Sequence, residues 1–252
     1  MKKTHRFIIR TALFILVAVL TAHSAAADEK ARQIIAKVDA AEKSSSSKLS
    51  FAMSIRPADG SAARNFSVLS FENADGDSLV EFTEPRTVRG MRILSKGKNS
   101  WVFFPSTGRT RKIGSSSRSG SVQGVGGDFS YDDLGGGSWE DEYEFTVISE
   151  GEKEWLLEGK RKSAAAAYDA VKLAVAKDSF MALRSEFSLD TEGGYYKVLE
   201  FSDFREWDGK LRAGRMVMKN LKKGSSTEIL LKDARFGLAL DGGLFDSIRF
   251  SQ

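Results

Sequence analysis

From Leu49 onward the side chains alternate. Leu49, Phe51, Met53 and Ile55 are apolar, while Ser50, Ala52, Ser54 and Arg56 between them are small or polar. A period of two puts the apolar set on one face of a β-strand. The same period recurs at Phe66 and Val68, Leu79–Thr83, Met91–Ser95, Ser100–Phe104, Tyr143–Val147 and Trp155–Leu157. It returns at Met181–Leu189, Tyr196–Phe201, Met216–Leu221 and Thr227–Leu231. Asp59-Gly60, Asp75-Gly76, Asp208-Gly209, Lys223-Gly224 and Asp241-Gly242 supply turns. Short strands joined by tight turns predict an antiparallel meander.

Three stretches break this rhythm. Asp28–Lys43 has Ile34, Ile35, Val38 and Ala41 on one stripe, with acids in its first turn and Lys43 in its last, which predicts a helix. Ala164–Lys177 supports two readings. Its Ala and Lys content suits a helix, whereas Val171, Leu173 and Val175 at period two suit a strand from about Tyr168, the preferred reading. Gly114–Gly137 holds eight Gly and six Ser in 24 residues, a composition that resists regular structure. One short helical turn is expected within it, at Phe129–Leu134. A long loop inside a compact domain is usually functional or disordered.

The first 27 residues are of another kind. Met1–Arg10 is basic, Thr11–Ala22 is apolar for about a dozen residues, and Ala25–Ala27 fits an A-x-A cleavage site. The apolar run is shorter than the roughly 20 residues of a membrane span. The alternative is an uncleaved anchor helix. No Cys follows the run, so lipidation is excluded, and Arg6 and Arg10 do not make a twin-arginine signal. The expectation is a Sec-type signal at 1–27, cleaved after Ala27, and a single domain at 28–252 in the periplasm.

This division changes the charge picture. The whole chain of 252 residues carries +4, but Lys2, Lys3, Arg6 and Arg10 lie in the signal. The other 34 basic residues match the 34 acidic ones, so a nucleic-acid partner loses its support. His5 and His23 are also in the signal, and the chain has no Cys. The remainder therefore lacks Cys/His zinc sites, thiol nucleophiles, Ser-His-Asp triads and disulfides.

Few motifs carry chemistry. Gly124-Val125-Gly126-Gly127 lacks the Gly-Lys-Ser/Thr ending of a phosphate loop. Asp128, Asp132 and Asp133 do not fit a calcium loop and suit capping and turn formation. Carboxylates such as Glu140-Asp141-Glu142 suffice in principle for a glycosidase, but no pair is marked out and a charge run is usually a solvated face. The reading is of a protein without enzymatic activity, cofactor or metal. Trp101-Val102-Phe103-Phe104 is apolar on both faces, so both faces are covered or one lines a cavity. Met53, Met91, Met181, Met216 and Met218 are adaptable fillers, suited to an ordinary core or to a surface that accepts variable chains. Arg86, Arg89, Arg92, Arg109, Arg111 and Lys112 suit lipid phosphates, an acidic partner or a protected sheet edge.

Three runs in order then acquire a meaning. They are Phe82–Leu94 (FTEPRTVRGMRIL), Trp101–Pro105 followed by Gly108–Ile113 (GRTRKI), and Gly127–Leu134 (GDFSYDDL). Together they resemble the LolA/LolB-like family of outer-membrane lipoprotein-sorting proteins, specifically its uncharacterised spirochaete-type branch. The resemblance implies an α+β, mainly antiparallel fold: a curved, unclosed half-barrel of roughly eleven strands, with an N-terminal helix and short helices covering its concave face. It implies an apolar cavity that accepts acyl chains, Asp28–Lys43 packed on the concave side, and a movable cover carrying Phe129–Leu134. It also makes Leu244–Phe250 the last strand. The lipid-binding candidates are Ile34, Val38, Phe51, Met53, Ile55, Phe66, Met91, Ile93, Trp101, Phe103, Phe129, Leu134, Leu183, Phe187, Met216 and Met218. Arg89, Arg109 and Arg111 are candidates for headgroup or partner contact. The expected function is a periplasmic, non-enzymatic carrier that shields lipid or lipoprotein acyl chains for transfer toward the outer membrane. Its implied partners are an inner-membrane RND-type transporter and an outer-membrane acceptor. The alternative is an accessory protein of an RND-type exporter that carries no lipid.

Overall fold

The alternating segments pair with their neighbours in the chain to build one antiparallel sheet. The computed structural model describes residues 28–114, 117–135, 137–164 and 166–252, so the expected signal at 1–27 lies outside the described residues. Helix α1 spans 28–42. The elements that follow are β1 (Ser47–Arg56), β2 (Arg64–Glu72), β3 (Ser78–Glu84), β4 (Met91–Lys96), β5 (Asn99–Phe104) and β6 (Arg109–Ile113). A small insertion comes next, with β7 (Ser121–Val122), β8 (Gly126–Ser130), α2 (Tyr131–Gly135) and α3 (Trp139–Glu142). The second half holds β9 (Tyr143–Glu150), β10 (Glu154–Arg161), β11 (Ala170–Ala176), β12 (Ala182–Leu189), β13 (Gly194–Trp207), β14 (Lys210–Asn220) and β15 (Ser225–Phe236).

The order across the sheet is β6-β5-β4-β3-β2-β1-β15-β14-β13-β12-β11-β10-β9. Among the described residues, only the β1–β15 pair of this sheet joins strands distant in sequence. Strands β6 and β9 form the two edges and do not pair with each other, so the sheet is unclosed. Among the described residues it has thirteen strands rather than the expected eleven or so. The pattern missed β6 because its first four residues, Arg109 to Lys112, are all exposed. An edge strand with charge on both faces shows no apolar alternation. The Ala-rich stretch resolves as the strand β11, hydrogen-bonded on both sides, with Val171, Leu173 and Val175 wholly buried.

The two faces of the sheet are covered differently. The inner face carries the main apolar cluster, into which α1 sends Ala31, Ile34, Ile35 and Val38. The outer face carries a smaller cluster of Leu79, Leu94, Phe245 and Phe250, flanked by Phe71, Trp101 and Phe103. On β5 the two-sided apolar run is thus divided: Val102 and Phe104 face inward, and Trp101 and Phe103 face outward. Both faces of that strand are covered.

The C-terminal stretch corrects one expectation. Leu244–Phe250 is not a strand: Gly242–Phe245 is a 3-10 turn, and further turns follow it. Its aromatic side chains lie on the outer face rather than extending a sheet edge. Arg92 Nη1 donates to the carbonyls of Phe250 (2.8 Å) and Gln252 (2.7 Å) and holds the tail there. Burying an aromatic side chain of this size contributes about 1.5–3 kcal/mol.

Candidate functional site

The inner face of the sheet is apolar, and the insertion between β6 and β9 covers part of it. Strand β8 lies over β15, β14 and β1, while α2 lies over β3 and β4. Val122, Val125, Phe129 and Tyr131 from this cover join the same cluster as Met53, Ile55, Phe66, Met91, Ile93 and Met218. Close approach requires glycine at 127. A Cβ there would lie 2.8 Å from Ile55 Cδ1 and 3.0 Å from Thr227 Oγ1, and the backbone φ is +82°.

Polar groups fasten the cover at several points. Asp128 accepts from Thr227 Oγ1 at 2.9 Å and Ser225 Oγ at 2.5 Å, both on β15, and its own N–H donates to Thr227 Oγ1. Ser78 on β3 donates to the Gly135 carbonyl. Arg111 on edge strand β6 donates to Gln123 Oε1 at 3.0 Å. Asp132 pairs with Arg118, which also lies 3.5 Å from Glu142. Burial pushes the Glu142 carboxyl up to about 7, with the Asp132 charge adding to the rise and Arg118 opposing it. Ser130 and Asp133 cap α2 reciprocally: Ser130 N–H donates to Asp133 Oδ2 (2.7 Å), and Asp133 N–H donates to Ser130 Oγ (3.1 Å).

Asp133 has a second role that its sequence neighbours do not announce. Its carboxylate accepts from Tyr168 Oη at 2.9 and 3.0 Å and lies 3.7 Å from Lys197 Nζ. Lys197 Nζ also donates to Tyr168 Oη at 3.2 Å and sits over the Tyr168 and Tyr196 rings. The Lys197 position depends on a β-bulge. Phe187 pairs with Lys197 and Ser188 pairs with Tyr195, so Tyr196 has no partner on β12. Desolvation lowers the Lys197 ammonium pKa, and the Asp133 charge opposes that shift. Burial pushes the Tyr168 hydroxyl well up, which keeps it a donor to the carboxylate.

Helix α1 is fastened at both ends. Lys30 pairs with Glu150 on β9, and Arg212 on β14 donates to the carbonyls of Ala41 (3.1 Å) and Glu42 (2.8 Å). Between them, Asp39 accepts from the backbone N–H groups of Trp139 and Glu140 and from Ser138 Oγ, tying α1 to α3.

The structure brings most of the sequence candidates together. Ile34, Val38, Phe51, Met53, Ile55, Phe66, Met91, Ile93, Phe129, Leu134, Phe187, Met216 and Met218 all belong to the inner cluster or pack against it. Trp101 and Phe103 do not, because they pack on the outer face under the C-terminal tail. Leu183 is half-buried at the register shift between β11 and β12 and belongs to neither cluster. Arg109 and Arg111 lie on edge strand β6, whereas Arg89 lies in the β3–β4 turn and donates to the Thr83 carbonyl. Arg89 borders a depression of about 490 Å³ with Ala52, Ser54, Ser67, Glu84 and Glu228, on the outer face.

Sequence reasoning took Asp128 and Asp133 for capping residues and did not select Lys197, Tyr168 or Thr227. Lys197 did carry a signal. It is in phase with Leu199 and Phe201, a lysine where the alternation places apolar side chains. Among the described residues, no group of three or more His, Cys, Asp or Glu is placed to hold a metal ion. No helix among them is long and apolar enough to cross a membrane.

Comparison with known proteins fits this geometry. A family model described as "-like: Uncharacterized protein" matches residues 74–251. A solved outer-membrane lipoprotein-sorting protein domain from Vibrio parahaemolyticus is 25% identical, with a TM-score of 0.78 over 89% of this chain and 100% of that one. A DUF1329 family protein from Desulfovibrio piger is 23% identical, with a TM-score of 0.79 over 88% of this chain and 98% of that one. A LolA superfamily protein from Nitrosomonas europaea is 23% identical, with a TM-score of 0.73 over 86% and 98%. No curated protein matches the chain.

Proposed function

We propose, on the premise that the chain belongs to a LolA-like family whose model matches residues 74–251, that it carries lipid or lipoprotein acyl chains on the inner face of its sheet. The observation that carries this reading is the covered inner face itself. An extended apolar surface is covered by α1 and, in part, by a short insertion that polar groups fasten at several points. Polar fastenings can exchange with water, whereas apolar contacts must be replaced by something apolar. An acyl chain supplies that replacement, at about 0.8 kcal/mol per CH₂ removed from water. The described form is the closed one. Loading displaces the cover, and release lets it return. No covalent step is involved. The segment 1–27 directs export, residues 28–252 form one carrier domain in the periplasm, and delivery runs toward the outer membrane.

A cross-link tests the reading. The chain has no cysteine, so Asp128→Cys with Thr227→Cys introduces a lone pair where the native side chains are 2.9 Å apart. The reduced protein is expected to take up a fluorescent long-chain fatty acid, and the oxidised protein is not. Equal uptake in the two states would mean that the ligand does not enter under this cover. The alternative, an RND-exporter accessory that carries no lipid, draws on the close packing of the inner face. It is favoured if neither state takes up the probe, no lipid is extracted from the native protein, and an inner-membrane transporter is retained in a pull-down.

A further inference from the structure

The Lys197–Asp133 pair crosses the junction between the cover and the sheet. Asp133 belongs to α2 of the cover, and Lys197 belongs to β13. Both side chains are 5% exposed. When the cover lifts, Asp133 leaves with it. Lys197 stays behind on the inner face, among Tyr168, Tyr196, Phe187 and Leu199. A lone ammonium in such surroundings is strongly unfavourable, so the loaded state needs a new anion at this point. Stability alone does not explain the pair, since a buried ion pair is often no better than apolar residues of the same volume. Ser185 points the same way. It is wholly buried, its hydroxyl has no hydrogen-bond partner among the described residues, and it pairs with Leu199, two residues along β13 from Lys197.

Resting on the acyl-carrier reading, we propose that Lys197, with the Tyr168 hydroxyl, receives the anionic head of an amphiphilic ligand, and that the Asp133 carboxylate occupies that position in the closed form. The ligand class is an acyl chain ending in a carboxylate or a phosphate. Asp133 is then a built-in stand-in for the head. It lies within reach of the same two donors that the ligand uses, Lys197 Nζ and Tyr168 Oη. The exchange replaces one charge-assisted contact with another, so opening the cover leaves no charge unpaired.

The test compares three probes with the same chain: a fluorescent long-chain fatty acid, its methyl ester, and the corresponding lysophosphatidic acid. The native protein is expected to bind the acid or the lysophosphatidic acid roughly tenfold or more tighter than the ester. Lys197→Met together with Asp133→Asn removes both charges while keeping shape and the α2 cap. Its folding is verified by circular dichroism and its urea midpoint. This variant is expected to bind all three probes alike. Tighter binding of the lysophosphatidic acid identifies a phosphate ligand, and tighter binding of the fatty acid a carboxylate. Ester binding equal to that of the charged probes in the native protein, or a preference that survives in the double variant, overturns this inference and leaves the carrier reading intact. Failure of every probe to bind overturns both.

Discussion

Lys197 Nζ lies 3.7 Å from Asp133 Oδ2, and the contact joins a central strand to a segment 64 positions earlier in the chain. Both groups are withdrawn from water, so each depends on the other. Removing one partner leaves an uncompensated charge, which costs about 3–5 kcal/mol. Asp133→Asn and Lys197→Met are each expected to lower the urea midpoint sharply. The double variant is expected to lose less than the sum of the two. An additive double variant would show that the pair is not coupled.

Gly127 sets how closely the cover approaches the sheet. Alanine there meets Ile55 Cδ1 at 2.8 Å in a left-handed backbone conformation, a strain of roughly 1–3 kcal/mol. Gly127→Ala is expected to speed amide exchange across 121–135 while the central β1–β15 amides keep their protection. Equal loosening of both regions would indicate that the cover and sheet open as one unit.

The Glu142 carboxyl supplies a pH dependence. Its folded value is pushed up to about 7 from an ordinary 4.5, so the folded protein holds this proton more tightly than the unfolded chain. The resulting stabilisation is fully present below about 4.5 and is lost as pH rises through about 7. Glu150, held down to about 2 by Lys177, Lys30 and Trp155, titrates outside this window. A higher melting temperature at pH 5.5 than at pH 8 is expected, by roughly 2–4 °C for each kcal/mol. Burial pushes the Glu42 carboxyl up to about 7 as well, so Glu142→Gln is expected to reduce that slope rather than abolish it, and an unchanged slope would assign it to other groups.

The outer cluster offers a control for the inner one. Phe250 is 1% exposed and packs with Leu79, Leu94 and Phe245. Phe250→Ala is expected to lower stability by about 3–5 kcal/mol, or by less if the tail detaches locally. Binding of an apolar dye to the outer face should rise, while fatty-acid uptake is unchanged. Loss of uptake in a variant that keeps its fold would place the ligand on the wrong face in the present reading.

The amino-acid sequence by itself determined the helix at 28–42 and most strands of the sheet, because periods of 3.6 and two are local consequences of backbone geometry. It also determined the neutral charge balance of residues 28–252 and the absence of Cys throughout. It gathered most of the inner apolar residues, because in-phase side chains of successive antiparallel strands share a face. Only the tertiary structure decided the remainder. Edge strand β6 has no apolar phase of its own and exists because β5 is there to pair with it. The C-terminal aromatics became an outer cap, and Trp101 and Phe103 outer residues, because each found the other there. The Lys197–Asp133 contact required a bulge between β12 and β13 and an insertion folded back over the sheet. Neither leaves a periodic trace, since register shifts and long-range ion pairs depend on partners far away in the chain.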